Sequence, residues 1–307
     1  MPNARTTSAD SSDTMSSQWA PDAQVEPESS PYPSEWHPYF ARRQSTSSLS
    51  SSDPPTTTPT PNTIYPDGAH SLAGISLRAF LLGTSLGVTA TLTLLTTTLT
   101  PTAFWRIPFF IAALSLFHFL EFFVTARYNT PEAKVKAFLL SSNGWAYNTA
   151  HGSALMECAL SHWLWPDGSR VSQWLSFTDP IFGTKISILL SLGLLLTGVG
   201  QLVRTLAMAQ AASNFNHHVQ STRRDGHVLV KSGVYAYLRH PSYFGFFWWG
   251  LGTQLVLGNV VCFFGYTFVL WRFFSTRIKS EEQFLISFFG ADYVQYREEK
   301  PVGIPGI

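Results

Sequence analysis

The sequence predicts an all-α integral membrane protein with about six transmembrane helices, the last two forming a helical hairpin beside a polar cytosolic region. Of its 307 residues, 45% are hydrophobic and 15% aromatic, whereas only 13% are charged. This composition is too apolar for an ordinary soluble domain of that length. Long apolar stretches and a one-sided distribution of Lys and Arg are the other two observations behind the prediction.

Five apolar stretches of the chain reach the length of a membrane span. About 20 helical residues are needed, because in lipid every backbone polar group must be satisfied within the segment. A fifth stretch is too long for one span and is interrupted by the turn residues Gly258 and Asn259, which predicts a hairpin of two helices. The predicted spans are residues 72–99, 104–126, 135–165, 181–212 and, as the hairpin, 241–274.

The chain divides by composition into an arm and a membrane domain. Residues 1–70 are rich in Ser, Thr and Pro and carry few large aliphatic side chains, so they cannot bury enough apolar surface to fold. We expect a disordered arm there and a transmembrane domain over 71–307. Within that domain, residues 213–307 contain the two longest polar stretches.

The distribution of Lys and Arg predicts the orientation in the membrane. Basic residues collect after the second span, after the fourth span and after the hairpin, whereas the opposite side carries only Arg106, Arg170 and Lys185. The positive-inside tendency then places both termini, and both polar stretches, in the cytosol.

Several classes of function are disfavoured. The net charge is +1 and no Lys/Arg stripe with interleaved aromatic residues occurs outside the juxtamembrane turns, which argues against nucleic-acid binding. The histidines between residues 217 and 240 lack zinc spacing and a Cys partner, so no metal site is predicted. Cys158 and Cys262 lie in apolar segments, as packing residues do.

The triplet Arg-His-Pro at the start of the hairpin is the first candidate site. Pro241 is favoured at the first position of a helix and leaves the N–H groups of residues 242–244 facing the preceding loop. Those groups and the helix dipole favour a ligand carboxylate, with Arg239 and His240 facing the ligand. The alternative is that Arg239 only extends to the membrane interface and His240 only caps the helix.

The second candidate site follows the last span. If its helix continues past Phe274, then Arg277 and Glu281 lie on one face, and Glu282 lies on the adjacent face of the helix. An Arg can hold a carboxylate through two N–H bonds, and a Glu can accept from hydroxyl groups. The alternative is a solvated i,i+4 salt bridge. The hairpin brings this patch and the Arg-His-Pro segment to one corner at the membrane face.

Ionisable and small residues within the spans are predicted to have structural roles. Glu121 with His118, and Glu157, are predicted to hydrogen bond between helices or to line a cavity. The glycines of "GTSLG" (83–87) and "TGVG" (197–200) have the spacing of helix packing, and the first pair also makes a homodimer possible.

The motifs "SNFNHHVQ", "LVKSGVYAYLRHPSYFGFFWWGLGTQLVLGN", "WRFF", "RIKSEE", "FFGADYVQY" and "GIPGI" occur in this order. In order and spacing the chain resembles the isoprenylcysteine carboxyl methyltransferase family, from about residue 75 and most specifically over 213–307. The resemblance implies methyl transfer from S-adenosyl-L-methionine to the C-terminal α-carboxylate of an S-prenylated cysteine. The implied substrates are processed CaaX proteins such as Ras- and Rho-type GTPases, and the implied location is the endoplasmic reticulum membrane.

The resemblance also implies roles for individual residues. Arg277 would bind the substrate carboxylate, and Arg277 and Glu281 would form the catalytic pair. The implied cofactor-binding residues are Gln220, His227, Val228, Leu229, Val230, Tyr235, His240, Pro241, Ser242, Tyr243 and Glu281.

The chemistry suits this set of residues. A carboxylate is already ionised and a sulfonium is already activated, so positioning alone supplies the catalysis, and neither a base nor a nucleophilic side chain is required. Three alternatives remain open: a membrane phospholipid methyltransferase, a nicotinamide-dependent sterol reductase, and a non-enzymatic transporter or receptor that uses Glu121 and Glu157.

Overall fold

The structure is a computed structural model that describes residues 61–99, 103–140, 142–165, 176–178 and 185–307. Regular structure in these residues is mostly helical. The helices are α1 (Pro61–Ile64), α2 (Leu72–Leu99), α3 (Arg106–Tyr128), α4 (Gly144–Leu164), α5 (Ile188–Ala211), α6 (Pro241–Leu257), α7 (Val261–Phe289) and α8 (Ala291–Glu299). Short 3-10 turns lie at Ala103–Trp105, Thr130–Glu132, Val135–Phe138, Ala212–Asn214 and Gly233–Ala236.

The predicted all-α membrane fold is confirmed. The exception is a two-stranded antiparallel ribbon of three residues a strand, β1 (Ser176–Thr178) and β2 (Lys185–Ser187), in which Phe177 pairs with Ile186. Three helical segments of the described residues are long and apolar enough to cross a membrane: Leu72–Leu99, Ala103–Tyr128 and Ile188–Asn214.

The other three long helices, α4, α6 and α7, begin within the remaining predicted spans. The span predicted for 135–165 is shorter in the structure, because Val135–Phe138 form a 3-10 turn and α4 begins at Gly144. Helix α6 is short, with 17 residues. Helix α7 has 29 residues and continues past Phe274 into its charged half, as expected. The number of six spans stays a prediction.

Residues 1–60 of the predicted arm lie outside the described residues. Its last ten residues differ from the expectation, because residues 61–70 form α1 and a hydrogen-bonded turn. His70 N–H donates to Thr63 O at 2.8 Å, and Val135 N–H donates to Ala69 O at 2.8 Å. Contact with the loop after α3 supplies order that the composition of this segment did not indicate.

Helices α5 and α6 pack with their backbones in close contact. A Cβ atom added at Gly200 would lie 2.5 Å from the backbone N of Trp249, and one added at Gly245 would lie 2.6 Å from the carbonyl O of Gly200. Small residues are therefore required on both faces. The packing role predicted for "TGVG" is confirmed at Gly200, whereas Gly83 and Gly87 have no neighbour among the described residues within 4 Å of an added Cβ atom.

The turn between α6 and α7 is fixed from a third helix. Gly258 ends α6 with a φ of 76°, a conformation that glycine adopts without strain. The carboxylate of Glu157, on α4, accepts from the N–H groups of Val260, Val261 and Cys262 at 2.7–2.8 Å. Glu157 thus satisfies free donors at the start of α7, which confirms its predicted role between helices.

The C-terminal residues after α8 return to the hairpin. Val302 and Ile304 are buried in the hydrophobic core that α6 and α7 share. The indole N–H of Trp248 donates to Gly303 O at 3.1 Å, and that of Trp271 donates to Pro305 O at 2.9 Å. This tail therefore packs along both helices of the hairpin.

Candidate functional site

A cavity opens at the polar end of the helices, where α5 ends, α6 begins and the second half of α7 passes. The space between its walls is about 870 Å³ when the part open to solvent is included. Its walls are the loop after α5, the start of α6, the charged half of α7, and α8.

The two patches predicted from sequence meet here. Every residue that the family resemblance assigned to the cofactor lines this cavity: Gln220, His227, Val228, Leu229, Val230, Tyr235, His240, Pro241, Ser242, Tyr243 and Glu281. Arg277 lies directly beside the cavity, bound to the lining residue Tyr243. The residues come from three separate parts of the chain, which only the fold brings together.

The start of α6 differs from the sequence expectation. His240 is the N-cap and Pro241 the first helical residue, as predicted. The N–H groups of Tyr243 and Phe244 are not free, because both donate to the carbonyl of His240, at 3.1 and 3.0 Å. Of the three groups expected to face a ligand, these two are therefore already satisfied.

Arg239 mainly links the loop before α6 to α7 and to the C-terminal tail. Its Nε donates to Glu282 Oε1 at 2.6 Å, its Nη1 donates to Lys300 O at 2.7 Å, and its backbone N–H donates to Pro301 O at 3.1 Å. Arg239 also lines the cavity, but these bonds hold the loop before α6 against α7 and the C-terminal tail.

Glu282 has a larger role than the sequence indicated. Besides pairing with Arg239, its Oε1 accepts from His240 Nε2 at 3.2 Å, while the His240 ring stacks on Tyr243 with centroids 5.5 Å apart. Glu282 thus fixes the orientation of a cavity-lining imidazole. Its adjacency to Glu281 was the available signal, but the sequence did not identify its two partners.

Arg277 and Glu281 are joined through a third residue. The hydroxyl of Tyr243 donates to Glu281 Oε2 at 2.5 Å and accepts from Arg277 Nε at 2.8 Å. Arg277 Nη2 also donates to the carbonyl of His217 at 2.5 Å. Tyr243 therefore sets both charged groups at fixed positions on the α6 side of the cavity.

A buried ion pair lies next to the Tyr243, Arg277 and Glu281 group. The guanidinium of Arg204, on α5, donates to both carboxylate oxygens of Glu121, on α3, and its Nη1 donates to Ser242 Oγ at 3.1 Å. Glu121 Oε2 also accepts from His217 Nε2 at 2.8 Å. Glu121 hydrogen bonds between helices as predicted, and its partners are Arg204 and His217.

His118 has separate partners. Its Nδ1 donates to the carbonyl of Phe138 at 2.8 Å, and its Nε2 accepts from Tyr147 at 3.1 Å. These bonds hold α4 and the loop after α3 against α3, away from the cavity lining.

The loop from residue 215 to residue 232 forms the outer wall. Arg223 Nη1 donates to Phe288 O at 2.9 Å, and Val228 N–H donates to Asn214 Oδ1 at 3.0 Å. Burial lowers the pKa of His218 and of His227, and neighbouring arginines lower both further. Both rings are therefore neutral at pH 7 and able to accept as well as donate hydrogen bonds.

Tyr235 is held from two sides. Its hydroxyl donates to Ala207 O at 3.2 Å, and its carbonyl accepts from Tyr296 at 2.6 Å. Burial raises the pKa of Tyr235, so this hydroxyl stays protonated. The turn before it fits against α5, where Gln210 Oε1 accepts from Val234 N–H at 2.7 Å, a role that the sequence did not suggest.

Aromatic side chains near the end of α7 form the remaining wall. Phe284, Phe288 and Phe289 line the cavity, and the His227 ring lies edge-on to Phe288 and Phe289, at 5.7 and 5.2 Å. The site thus combines an aromatic wall, the carboxylate of Glu281 and, beside the cavity, the guanidinium of Arg277. Among the residues that the structure describes, no three His, Cys, Asp or Glu side chains form a group suited to a metal ion.

Comparisons with known proteins agree on one family. The sequence profile of the isoprenylcysteine carboxyl methyltransferase (ICMT) family matches residues 192–287. The chain is similar to the protein-S-isoprenylcysteine O-methyltransferase of Saccharomyces cerevisiae, with 43% identity over 79% of this chain and 95% of that one. It is also similar to the protein of that name from Homo sapiens, with 41% identity over 64% of each chain.

A solved structure gives the same result. It is described as a eukaryotic intramembrane Ras methyltransferase, ICMT, and it superposes with a TM-score of 0.65 and 33% identity over 76% of this chain and 77% of that one. Identity at this level across nearly the whole length of a relative, together with the shared fold, is decisive. The chain belongs to the isoprenylcysteine carboxyl methyltransferase family, as its motifs predicted.

Proposed function

We propose that this protein transfers a methyl group from S-adenosyl-L-methionine to the C-terminal α-carboxylate of S-prenylated cysteine in processed CaaX proteins, forming a methyl ester. The observation that carries the proposal is that the predicted cofactor residues converge on one cavity, with Arg277 fixed at its side. The names of its relatives support the reaction class.

The lining of the cavity fits the methyl donor. The aromatic wall of Phe288, Phe289 and His227 suits a purine ring, and the carboxylate of Glu281 suits the two hydroxyl groups of a ribose. When bound, S-adenosylmethionine supplies a methyl group on an activated sulfonium.

We assign binding of the substrate carboxylate to Arg277. Its Nε and one Nη2 hydrogen are used within the protein, and its Nη1 has no hydrogen-bond partner in the described part of the chain. An Arg so oriented presents its remaining N–H groups to an incoming carboxylate without having to reorganise. The contacts of Arg277 with Tyr243 and His217 keep those groups in one direction.

The reaction requires orientation rather than proton transfer. The attacking carboxylate is already an anion, so Arg277 has to align it without quenching it, and Glu281 and Tyr243 have to hold the donor side. Alignment of two reactants in this way can contribute roughly 7 to 11 kcal/mol to lowering the barrier. No side chain has to act as base or nucleophile.

The membrane setting suits a lipidated substrate. A prenyl chain gains about 0.8 kcal/mol for each buried CH₂ group, so it remains in the bilayer while its cysteine carboxylate reaches the cavity. We infer a cytosolic site and cytosolic termini from the distribution of Lys and Arg, and an endoplasmic reticulum location and Ras- and Rho-type substrates from the family resemblance.

The experiment is a transfer assay with a defined acceptor. Membranes that contain this chain are incubated with tritium-labelled S-adenosylmethionine and N-acetyl-S-farnesyl-cysteine, and base-labile radioactivity is counted. We expect a base-labile methyl ester on this acceptor, and none on N-acetylcysteine without the farnesyl group. Transfer to phospholipid instead would favour the phospholipid methyltransferase alternative.

A further inference from the structure

We propose that His217 is a positioning residue for Arg277, and that the buried carboxylate of Glu121 acts through it to set the direction of the substrate-binding guanidinium. This inference rests on the proposed function, because it concerns how Arg277 binds the prenylcysteine carboxylate. Neither His217 nor Glu121 lines the cavity, and the sequence motifs assign no role in the reaction to either.

The first step of the argument is how Arg277 is held. Among the described residues, two protein groups hydrogen bond to its guanidinium: the Tyr243 hydroxyl at Nε, 2.8 Å, and the His217 carbonyl at Nη2, 2.5 Å. Two contacts on different edges fix the plane of a guanidinium, whereas one contact leaves it free to rotate. The direction of Nη1 therefore depends on the position of the His217 carbonyl.

The second step is what holds that carbonyl. His217 lies in the stretch between Ala212–Asn214 and Gly233–Ala236, where no helix or strand fixes the backbone. Its ring supplies the anchor, because Nε2 donates to Glu121 Oε2 at 2.8 Å and the ring lies edge-on to Phe215 at 5.2 Å. Removing the ring would leave the carbonyl with fewer constraints.

The third step is that Glu121 is a fixed and charged anchor. Its side chain is almost fully buried, and its two oxygens accept from Arg204 in a bidentate salt bridge. Arg204 also donates to Ser242 Oγ and lies near the Phe117 and Phe246 rings, at 5.3 and 5.2 Å. The carboxylate thus keeps its partner when His217 is replaced, so a His217 variant is expected to fold.

The test separates positioning of Arg277 from a general structural role. The kcat and the KM for N-acetyl-S-farnesyl-cysteine and for S-adenosylmethionine are measured for the unmodified chain, His217→Ala, His217→Gln and Glu157→Gln. Glutamine keeps a side-chain N–H donor that can reach Glu121. Glu157→Gln is the matched control, because it removes another partly embedded carboxylate whose contacts are with the start of α7.

We expect His217→Ala to raise the KM for the prenylcysteine about tenfold, while the KM for S-adenosylmethionine changes less than about twofold. His217→Gln should recover most of that loss, and Glu157→Gln should leave both KM values near those of the unmodified chain. In an Arg277→Lys background the effect of His217→Ala should nearly vanish, because a lysine cannot bind both partners.

The proposal is overturned if His217→Ala leaves the prenylcysteine KM unchanged, if it weakens both reactants equally, or if its effect is undiminished in the Arg277→Lys background. Failure of the unmodified chain to form any methyl ester is a different result, since it would remove the proposed function itself. An active unmodified chain with an insensitive His217 removes only this inference.

Discussion

Arg277→Lys is the substitution for which the structure gives the most definite expectation. The positive charge stays, but the hydrogen bonds from Nε to Tyr243 and from Nη2 to His217 are lost. An ammonium on a flexible stem cannot donate to both of these groups and to a substrate carboxylate in the directions that a guanidinium provides. The change therefore tests orientation of the substrate carboxylate separately from its charge.

The expected magnitude follows from the contacts. A hydrogen bond to a charged group contributes about 1.5 to 3 kcal/mol, and one such bond to the substrate carboxylate is lost or misdirected in the variant. Because about 1.4 kcal/mol is a factor of ten, kcat/KM for N-acetyl-S-farnesyl-cysteine should fall about 10- to 100-fold. Binding of S-adenosylmethionine should change much less, because Arg277 lies beside the cavity rather than among the lining residues assigned to the cofactor, and is linked to them through Tyr243.

The assay is initial-rate methyl transfer in membranes with equal amounts of each variant, with each reactant varied in turn. Arg272→Lys is the matched control on the same helix, since Arg272 is exposed and its one side-chain partner in the described part of the chain is Thr276, at 3.2 Å. A value of kcat/KM for Arg277→Lys close to that of Arg272→Lys would refute the orienting role of the guanidinium.

Three further expectations concern the scaffold around the site. Gly200→Ala should destabilise the α5–α6 contact by about 1 to 3 kcal/mol in thermal unfolding in detergent, whereas Gly198→Ala, with open space around its Cβ, should not; equal stability of the two would contradict the packing described. Glu157→Gln should lower stability by about 1 kcal/mol through weaker capping of α7, and an unchanged melting temperature would argue against that cap. Gly303 has a φ of 79°, and an added Cβ atom would contact Phe244, so Gly303→Ala should displace the tail that holds Arg239. Equilibrium titrations should then show weaker binding of S-adenosylmethionine, and an unaltered affinity would show that the position of the tail does not affect the site.

The long helices, and the meeting of the two polar patches at one corner, could be predicted from the sequence. The start of α6 at Pro241 and the turn at Gly258 follow from local chemistry, because proline and glycine impose those conformations on their own residues. The continuation of α7 past Phe274 also follows from the chain itself, since helical spacing places Arg277 and Glu281 on one face.

The partners of individual side chains could not be predicted in the same way. Arg239 binds Lys300 O, 61 residues away, and Arg204 binds Glu121, 83 residues away, so each contact depends on how the helices pack. The hydroxyl that lies between Arg277 and Glu281 comes from Tyr243, on another helix. Spacing along α7 alone suggested a direct pair.

The N–H groups at the start of α6, which the sequence predicted to be free, show that hydrogen bonds within a cap could not be predicted either. The general rule that helix N-termini leave donors unpaired is sound, but the His240 carbonyl accepts from both Tyr243 and Phe244. How a particular cap distributes its bonds depends on its own dihedral angles, which the sequence does not give.

The most direct measurement is tritium transfer from S-adenosylmethionine to N-acetyl-S-farnesyl-cysteine by membranes containing the unmodified chain, with Glu281→Gln beside it. The account predicts a base-labile methyl ester with the unmodified chain and a large loss with Glu281→Gln, whose carboxylate lines the cavity. Absence of a methyl ester from the properly inserted, unmodified chain would contradict the proposed function.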